Sequence, residues 1–376
     1  RATVAVLVAG SVALAKTAAP PEKAAPPERR HVDLVICLDT SGSMTKLIEA
    51  AKQKLWAVVN ELATAKPKPV LRVGLYHYGN DGLSRENGWV ERLCPLTGDL
   101  DAVYGKLFAL RTRGGTEYVA RVVRAATDEL KWNTDKRTLR MIFVAGNERA
   151  TQDEKTYKLQ DICKAAATKG IIVNTIFCGN EATGRRTGWA DAAAWADGKY
   201  AAIDQKRGTV VVSTPYDKKL AKLSATLNKT YVPYGTRGKA GKANQKAQDA
   251  NATSMNAPAA AQRAMAKGSA LYRSHGWDLV DGIAEGKVDL AKVKNADLPK
   301  NMRKMSIKER KKYVDQMRTR RKKAQSQIKD LGAKRDKHVK AEMAKKGLDD
   351  KAALDRVLRD TVREQAENTG FEFEQK

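Results

Sequence analysis

Val35-Ile36-Cys37-Leu38-Asp39-Thr40-Ser41-Gly42-Ser43-Met44 passes from a continuous apolar run into a cluster of small polar residues, and an amphipathic pattern starts at Lys46. So short an apolar run reads as a strand covered on both faces, which is the habit of parallel sheets. In open α/β sheets ligands collect outside the carboxyl ends of the strands, so the polar loop lies where a site is expected. There Asp39, Ser41 and Ser43 set one carboxylate and two hydroxyls at alternate positions, and Gly42 lets the backbone turn their oxygens inward. Hard oxygen donors of this kind suit Mg2+, Ca2+ or Mn2+ rather than zinc. A single carboxylate among them leaves a cation electropositive and open to an acidic group from outside. Asp39 and Ser41 are also helix-capping residue types, but capping accounts for one such residue and not for three at this spacing.

Outward from this loop, Val32–Leu38, Leu71–Tyr78, Leu139–Ala145 and Ile171–Cys178 are short apolar runs. They alternate with helical patterns at Lys46–Leu62, Leu100–Leu110, Tyr118–Leu130 and Thr156–Thr168. Strand–helix alternation predicts a doubly wound, mainly parallel sheet, an α/β fold of Rossmann-like type. Trp89–Leu93 follows a Gly/Asn/Asp-rich turn and is expected to pair back as an antiparallel edge strand. Lys199–Ile203 reads as a last strand and Lys218–Leu227 as a closing helix.

With these residues in place, the Asp39 loop resembles the metal-ion-dependent adhesion site (MIDAS) of von Willebrand factor A (VWA) domains, over about His31 to Leu227. The stretches Leu100–Tyr104, Leu107–Tyr118, Phe143–Glu148 and Ala196–Tyr200 are similar to an exported bacterial subgroup of that family. The resemblance implies a non-enzymatic protein that binds a partner protein through a cation, Mg2+ or else Ca2+ or Mn2+. It also implies a threonine ligand from a second loop, and Thr116, after Gly114-Gly115, holds the matching position; it reads equally as a helix N-cap. The family's last acidic position follows the central strand as Thr-Asp-Gly. Here the chain has Ala145-Gly146-Asn147-Glu148, so Gly146 stands where the Asp would be, and Asn147 and Glu148 become candidates for the missing oxygen. Glu148 reads also as an ordinary surface charge.

The sequence has 376 residues and a formal charge of +27, from 70 Lys+Arg against 43 Asp+Glu. Such length predicts more than one unit, and such charge predicts attraction to polyanions. Between Lys300 and Lys346 lie 19 Lys/Arg and only 5 Asp/Glu, so much of the excess sits late in the chain. Ala2–Leu14 is apolar, ends on the small-x-small pattern Ala13-Leu14-Ala15, and is shorter than the roughly 20 residues that cross a bilayer. It reads as a signal peptide over 1–15, with a periplasmic, envelope or secreted destination. Pro/Ala-rich residues 16–30 read as a linker, 31–230 as the VWA unit, 231–270 as a flexible linker poor in large apolar residues, with a weak helix the alternative for about Arg237–Lys267, and 271–376 as a basic helical region. In Ser306–Lys346, Met317, Ala324, Ile328 and Leu331 fit heptad spacing from Val314, while Arg321 and Arg335 interrupt the seam. A coiled coil and a hairpin packed on itself both remain open.

Cys37, Cys94, Cys163 and Cys178 are too few and too scattered for a disulfide scaffold and read as small buried residues, Cys163 with Cys178 being the first pair to test for a bond. Enzyme signatures are missing: no Gly-x-Ser-x-Gly, no His-Glu-x-x-His, no phosphate-binding Gly-x-x-x-x-Gly-Lys-Ser/Thr. His77, between Tyr76 and Tyr78, reads as a satisfied strand residue. A second function class is a structural protein with a metal-free VWA scaffold, whose basic helices bind anionic envelope polymers. Nucleic acid is disfavoured because the basic segment offers only Tyr313 for stacking.

Overall fold

A computed structural model describes residues 30–203, 211–346 and 354–373. The signal peptide read over 1–15, and the linker read over 16–30 apart from its last residue, lie outside the described residues. The described residues open with β1 (His31–Asp39), a 3-10 turn, α1 (Thr45–Leu62), the two-residue β2 (Ala65–Lys66) and β3 (Val70–Tyr78). β4 (Val90–Thr97) then turns back antiparallel on β3, as the Trp89–Leu93 run suggested. α2 (Leu100–Ala109), α3 (Val119–Glu129), β5 (Leu139–Gly146), α4 (Leu159–Thr168) and β6 (Ile172–Cys178) follow. Two short helices not visible in the sequence pattern, α5 (Glu181–Arg186) and α6 (Trp189–Ala194), precede β7 (Tyr200–Ile203).

The six strands lie in the order β4-β3-β1-β5-β6-β7, and only the β3–β4 pair is antiparallel. This is the mainly parallel, doubly wound sheet that the alternation predicts. Its strands lack polar/apolar alternation because both faces are covered: Leu34 and Leu38 enter one core with Trp56 and Tyr104, while Val35 and Cys37 enter the other with Val122 and Trp189. The strand order reverses at β1, so the ends of β1, β3 and β5 open on a shared crevice. Asp39 stands in register with Tyr78, and Leu38 with Ala145.

Two expectations about the second half need correction, and the structure also shows where its last helix docks. Residues 231–270 are not a flexible linker: α7 (Asp217–Asn228) is followed by α8 (Gly238–Met255) and α9 (Ala257–Gly268), which pack on α1, α2 and α7. Alanine-rich surfaces allow close approach, and a buried polar network replaces large apolar side chains. Arg263 Nη1 donates to Asp101 Oδ1 at 2.7 Å and its Nε to Asp249 Oδ1 at 2.6 Å. Lys267 Nζ, fully buried, donates to Asp249, Asn228 and Ser224.

The long helix also differs from a coiled coil or a self-packed hairpin. After α10 (Leu279–Ala284), α11 (Ile307–Lys345) packs along α7, α9 and α10. The arginines that break its heptads are buried ion-pair anchors: Arg321 to Asp278 and Asp281, and Arg335 to Asp217. Finally, packing onto the sheet does not end near residue 230. α12 (Leu354–Asn368) lies against α1, and β8 (Glu372–Phe373) pairs with β2. Val362, Ala366 and Phe371 join the same core as β1, and the Gln365 and Asn174 amides exchange two hydrogen bonds. The helix read over Leu348–Ala366 lies partly outside the described residues, its observed part starting at Leu354.

All four cysteines are buried, and no disulfide joins Cys163 to Cys178. Burial pushes the Cys163 thiol up to about 12, which leaves it unreactive. Among the described residues no helix is long and apolar enough to cross a membrane.

Candidate metal-binding loop

β1 delivers Asp39 to the crevice fully buried. Its Oδ1 accepts from Ser41 N–H at 2.7 Å, closing a tight turn. Ser41 Oγ is 3.1 Å from Ser43 Oγ, and Ser43 Oγ accepts from Asn147 Nδ2 at 3.0 Å. Three of the expected residues on β1's loop and one beyond β5 thus form a continuous chain of polar groups. The loop is pinned from behind: Gly42 N–H donates to Gly114 O at 2.6 Å, Thr40 N–H to Tyr78 O at 2.8 Å, and Arg113 N–H to Thr40 O at 3.0 Å. His77, as expected of a satisfied strand residue, bridges Thr40 Oγ1 and Glu91.

Thr116 is half-buried on the second loop and makes no hydrogen bond to Asp39, Ser41 or Ser43. Glu148 is exposed, and only its backbone oxygen is engaged, by the Trp189 indole at 2.7 Å. The residue that sequence reading missed is Glu117. It is buried beside Asp39 and Ser41, and a Cβ added at Gly115 would sit 3.0 Å from Glu117 Oε1 and 2.7 Å from Ser41 Cβ. A Cβ at Gly79 would sit 2.7 Å from Asp39 Oδ1 and 2.9 Å from Glu117 Cγ, so these glycines are what let the two acids meet. One signal was available: Glu117 is the only acidic residue between Asp101 and Asp128, and it abuts the Gly-Gly-Thr turn.

No donor reaches Asp39 Oδ2 or Glu117 Oε2, although both atoms are buried. Two facing carboxyls in that state need a proton or a cation between them. Without a cation, burial and then the Glu117 charge push the Asp39 carboxyl well above the usual carboxylate range, and a proton held by Asp39 bonds Glu117. Burial raises Glu117 as well, its hydrogen bonds to Asp39 and Ser41 lower it, and the Glu148 carboxylate raises it. Two carboxylates, two hydroxyls and an amide fit a hard divalent cation. Among the described residues no group of three or more His, Cys, Asp or Glu is arranged around a metal position, so hydroxyl and amide oxygens would have to complete such a shell.

The Gly146 departure has a steric cause. A Cβ there would lie 2.5 Å from the Tyr78 hydroxyl and 3.0 Å from Trp189 Cη2. The Tyr78 hydroxyl occupies that space to donate to Ala145 O at 3.1 Å, and no aspartate fits beside it.

Residues 34–148 match the family model described as von Willebrand factor type A domain. The chain is similar to the crystal structure of the SpRpn10 VWA domain, with 19% identity and a TM-score of 0.37, covering 46% of this chain and 89% of that one. It is similar to proximal thread matrix protein 1 from the mussel byssus with a zinc-occupied MIDAS motif, at 10% identity and a TM-score of 0.37, covering 48% and 43%. A type A domain from Catenulispora acidiphila gives 16% identity and a TM-score of 0.36, covering 47% and 40%. The chain therefore spans less than half of the last two. No curated protein matches the chain.

Proposed function

The chain contains a von Willebrand factor type A domain, and on that footing we propose that it is an exported, non-enzymatic protein that binds a partner protein through a divalent cation held at the β1 loop. Asp39, Ser41 and Ser43, with Thr116 from the second loop and Asn147 behind Ser43, are the residues that would hold it. When bound, the cation offers a coordination position to an acidic side chain of the partner. The protein's own part is to fix the loop: the bonds of Gly42, Thr40 and Arg113 hold the donors in place before anything arrives. The observation that carries this reading is the fully buried Asp39 carboxyl, with Oδ2 unpartnered, at the carboxyl end of the central strand. Calorimetric titration of the full chain with Mg2+ or Mn2+ tests it. The expected result is binding that Asp39→Ala abolishes; no binding at millimolar metal would sink the reading. A pull-down from envelope extract with and without chelator then tests the partner.

A second reading assigns binding to the basic surface of α11. Lys311, Lys312, Lys322, Lys323, Lys329, Lys334, Lys337 and Lys340 are all exposed there, which suits an anionic polymer. Here retention on heparin is the measurement, with chelator making no difference.

A further inference from the structure

We propose that Glu117 is a direct ligand of the cation, supplying from α3's leading loop the second carboxylate that Gly146 cannot carry. The inference rests on the cation-binding reading above and adds to it the residue that completes the charge. Three observations converge on it. Asp39 is fully buried, its Oδ2 has no donor, and the matching buried atom without a donor is Glu117 Oε2. Glycine at 79 and at 115 leaves room for the Glu117 side chain, since a Cβ would sit 2.9 Å from its Cγ at 79 and 3.0 Å from its Oε1 at 115, alongside Asp39 Oδ1 at 2.7 Å in the first case and the Gly79 carbonyl oxygen at 2.7 Å in the second. At 146, where a side chain could have brought an acid from β5, the Tyr78 hydroxyl and Trp189 fill the space.

The consequence is chemical. Two carboxylates neutralise a divalent cation in the protein itself, so the ion is retained without help from a partner's acid. The set Asp39, Glu117, Ser41 and Ser43 is all oxygen, which favours Mg2+, Mn2+ or Ca2+ over softer ions.

The test uses the full chain and Mn2+ alone, read by calorimetry and by the loss of the free Mn2+ electron paramagnetic resonance signal. Glu117→Gln keeps the volume and removes the charge. It is expected to weaken Mn2+ binding by at least about ten-fold, the scale of losing a supporting carboxylate, while the metal-free protein melts no lower than wild type because the introduced amide oxygen still accepts from the Asp39 carboxyl. Wild-type binding with an unchanged Glu117→Gln affinity would overturn the assignment and leave the cation site standing. No wild-type binding would overturn the cation reading and Glu117 with it. A lower metal-free melting point together with unchanged affinity would make Glu117 a packing residue. Should Glu117→Gln fail to fold, Glu117→Asp, which keeps the charge but draws it back by one methylene, is expected to weaken binding, and an unchanged affinity again refutes the proposal.

Discussion

Phe371→Ala tests whether the end of the described chain is part of the domain or an appendage to it. The ring is 2% exposed, lies in the core shared with β1 and α1, and carries Arg30 Cζ 5.8 Å from its centroid. It follows the turn at the end of α12, where Phe371 N–H donates to Ala366 O at 3.0 Å, and leads into β8. Truncating a buried Phe costs about 3–5 kcal/mol through lost transfer energy and the cavity left behind. Against a total stability on the order of 5–15 kcal/mol this is a large fraction. At roughly 2 °C per kcal/mol for a chain of this size, the melting point should fall by about 6–10 °C.

The assay is thermal unfolding of the full chain followed by circular dichroism, with Val211→Ala, at a position 41% exposed, as the control expected to change nothing. Limited proteolysis should find α12 released earlier in Phe371→Ala, because Val362 and Ala366 lose their neighbour in the core. A chain stopped after residue 346 should fare worse, uncovering an apolar cleft lined by Leu38, Leu47, Leu55, Phe143 and Ile176 against which Leu358 rests. A shift below about 2 °C for Phe371→Ala, or a truncated chain that melts where the full chain does, would refute the reasoning.

Arg321→Met should cost about 3–5 kcal/mol in urea unfolding, because Asp278 is left buried without its cation; a loss under about 1 kcal/mol would mean that the pair contributes little. Burial pushes the Lys267 ammonium down from 10.5 to about 8, so the unfolded chain holds this proton more tightly and the residue's contribution to stability rises as pH climbs from about 8 towards 10.5. Wild type should therefore gain on Lys267→Met between pH 7.5 and 10, and parallel stability curves would contradict this. Gly146→Asp, which restores the family's acid, should destabilise by overpacking against Tyr78 and Trp189, by about 1–3 kcal/mol, and should leave Mn2+ affinity no better. Reversing Lys311, Lys312, Lys322 and Lys323 to Glu should lower the salt needed to elute the chain from heparin without moving its melting point, since all four are exposed.

The parallel sheet was legible because its signal is local: Val32–Leu38 or Leu139–Ala145 shows its two-sided burial in consecutive residues. Asp39, Ser41 and Ser43 were legible for the same reason, lying within five positions of one another. Asn147 became a candidate only through the family resemblance, as a neighbour of Gly146, and in the structure its Nδ2 lies 3.0 Å from Ser43 Oγ. Glu117 was hidden because what marks it is spatial. Its neighbours Asp39 and Gly79 belong to two other strand ends, and only the register of β1 with β3 brings them to it. The packed state of 231–270 was hidden for a different reason. Sequence scales treat Lys, Gln and Asp as solvent-facing, whereas Gln245, Arg263 and Lys267 here are at most 1% exposed and satisfy one another with Asp249.

That reliance on ions bears on the excess charge. Arg263, Lys267, Arg321 and Arg335 are cations of a very basic chain, yet each is buried against an acid, so none of them is available to an external polyanion. A buried pair adds little net stability over an apolar contact, but one made with the wrong partner is costly. Pairs such as Arg263 with Asp101 and Arg335 with Asp217 thus favour a single seating of α9 and α11 where alanine surfaces alone would permit sliding. The same α2 that carries Asp101 packs on α1, which begins at Thr45, two residues after Ser43. Whatever holds the C-terminal helices in place therefore also steadies the helix behind the Asp39 loop, and the 39-residue helix acts as a brace for the domain as well as a display of charge.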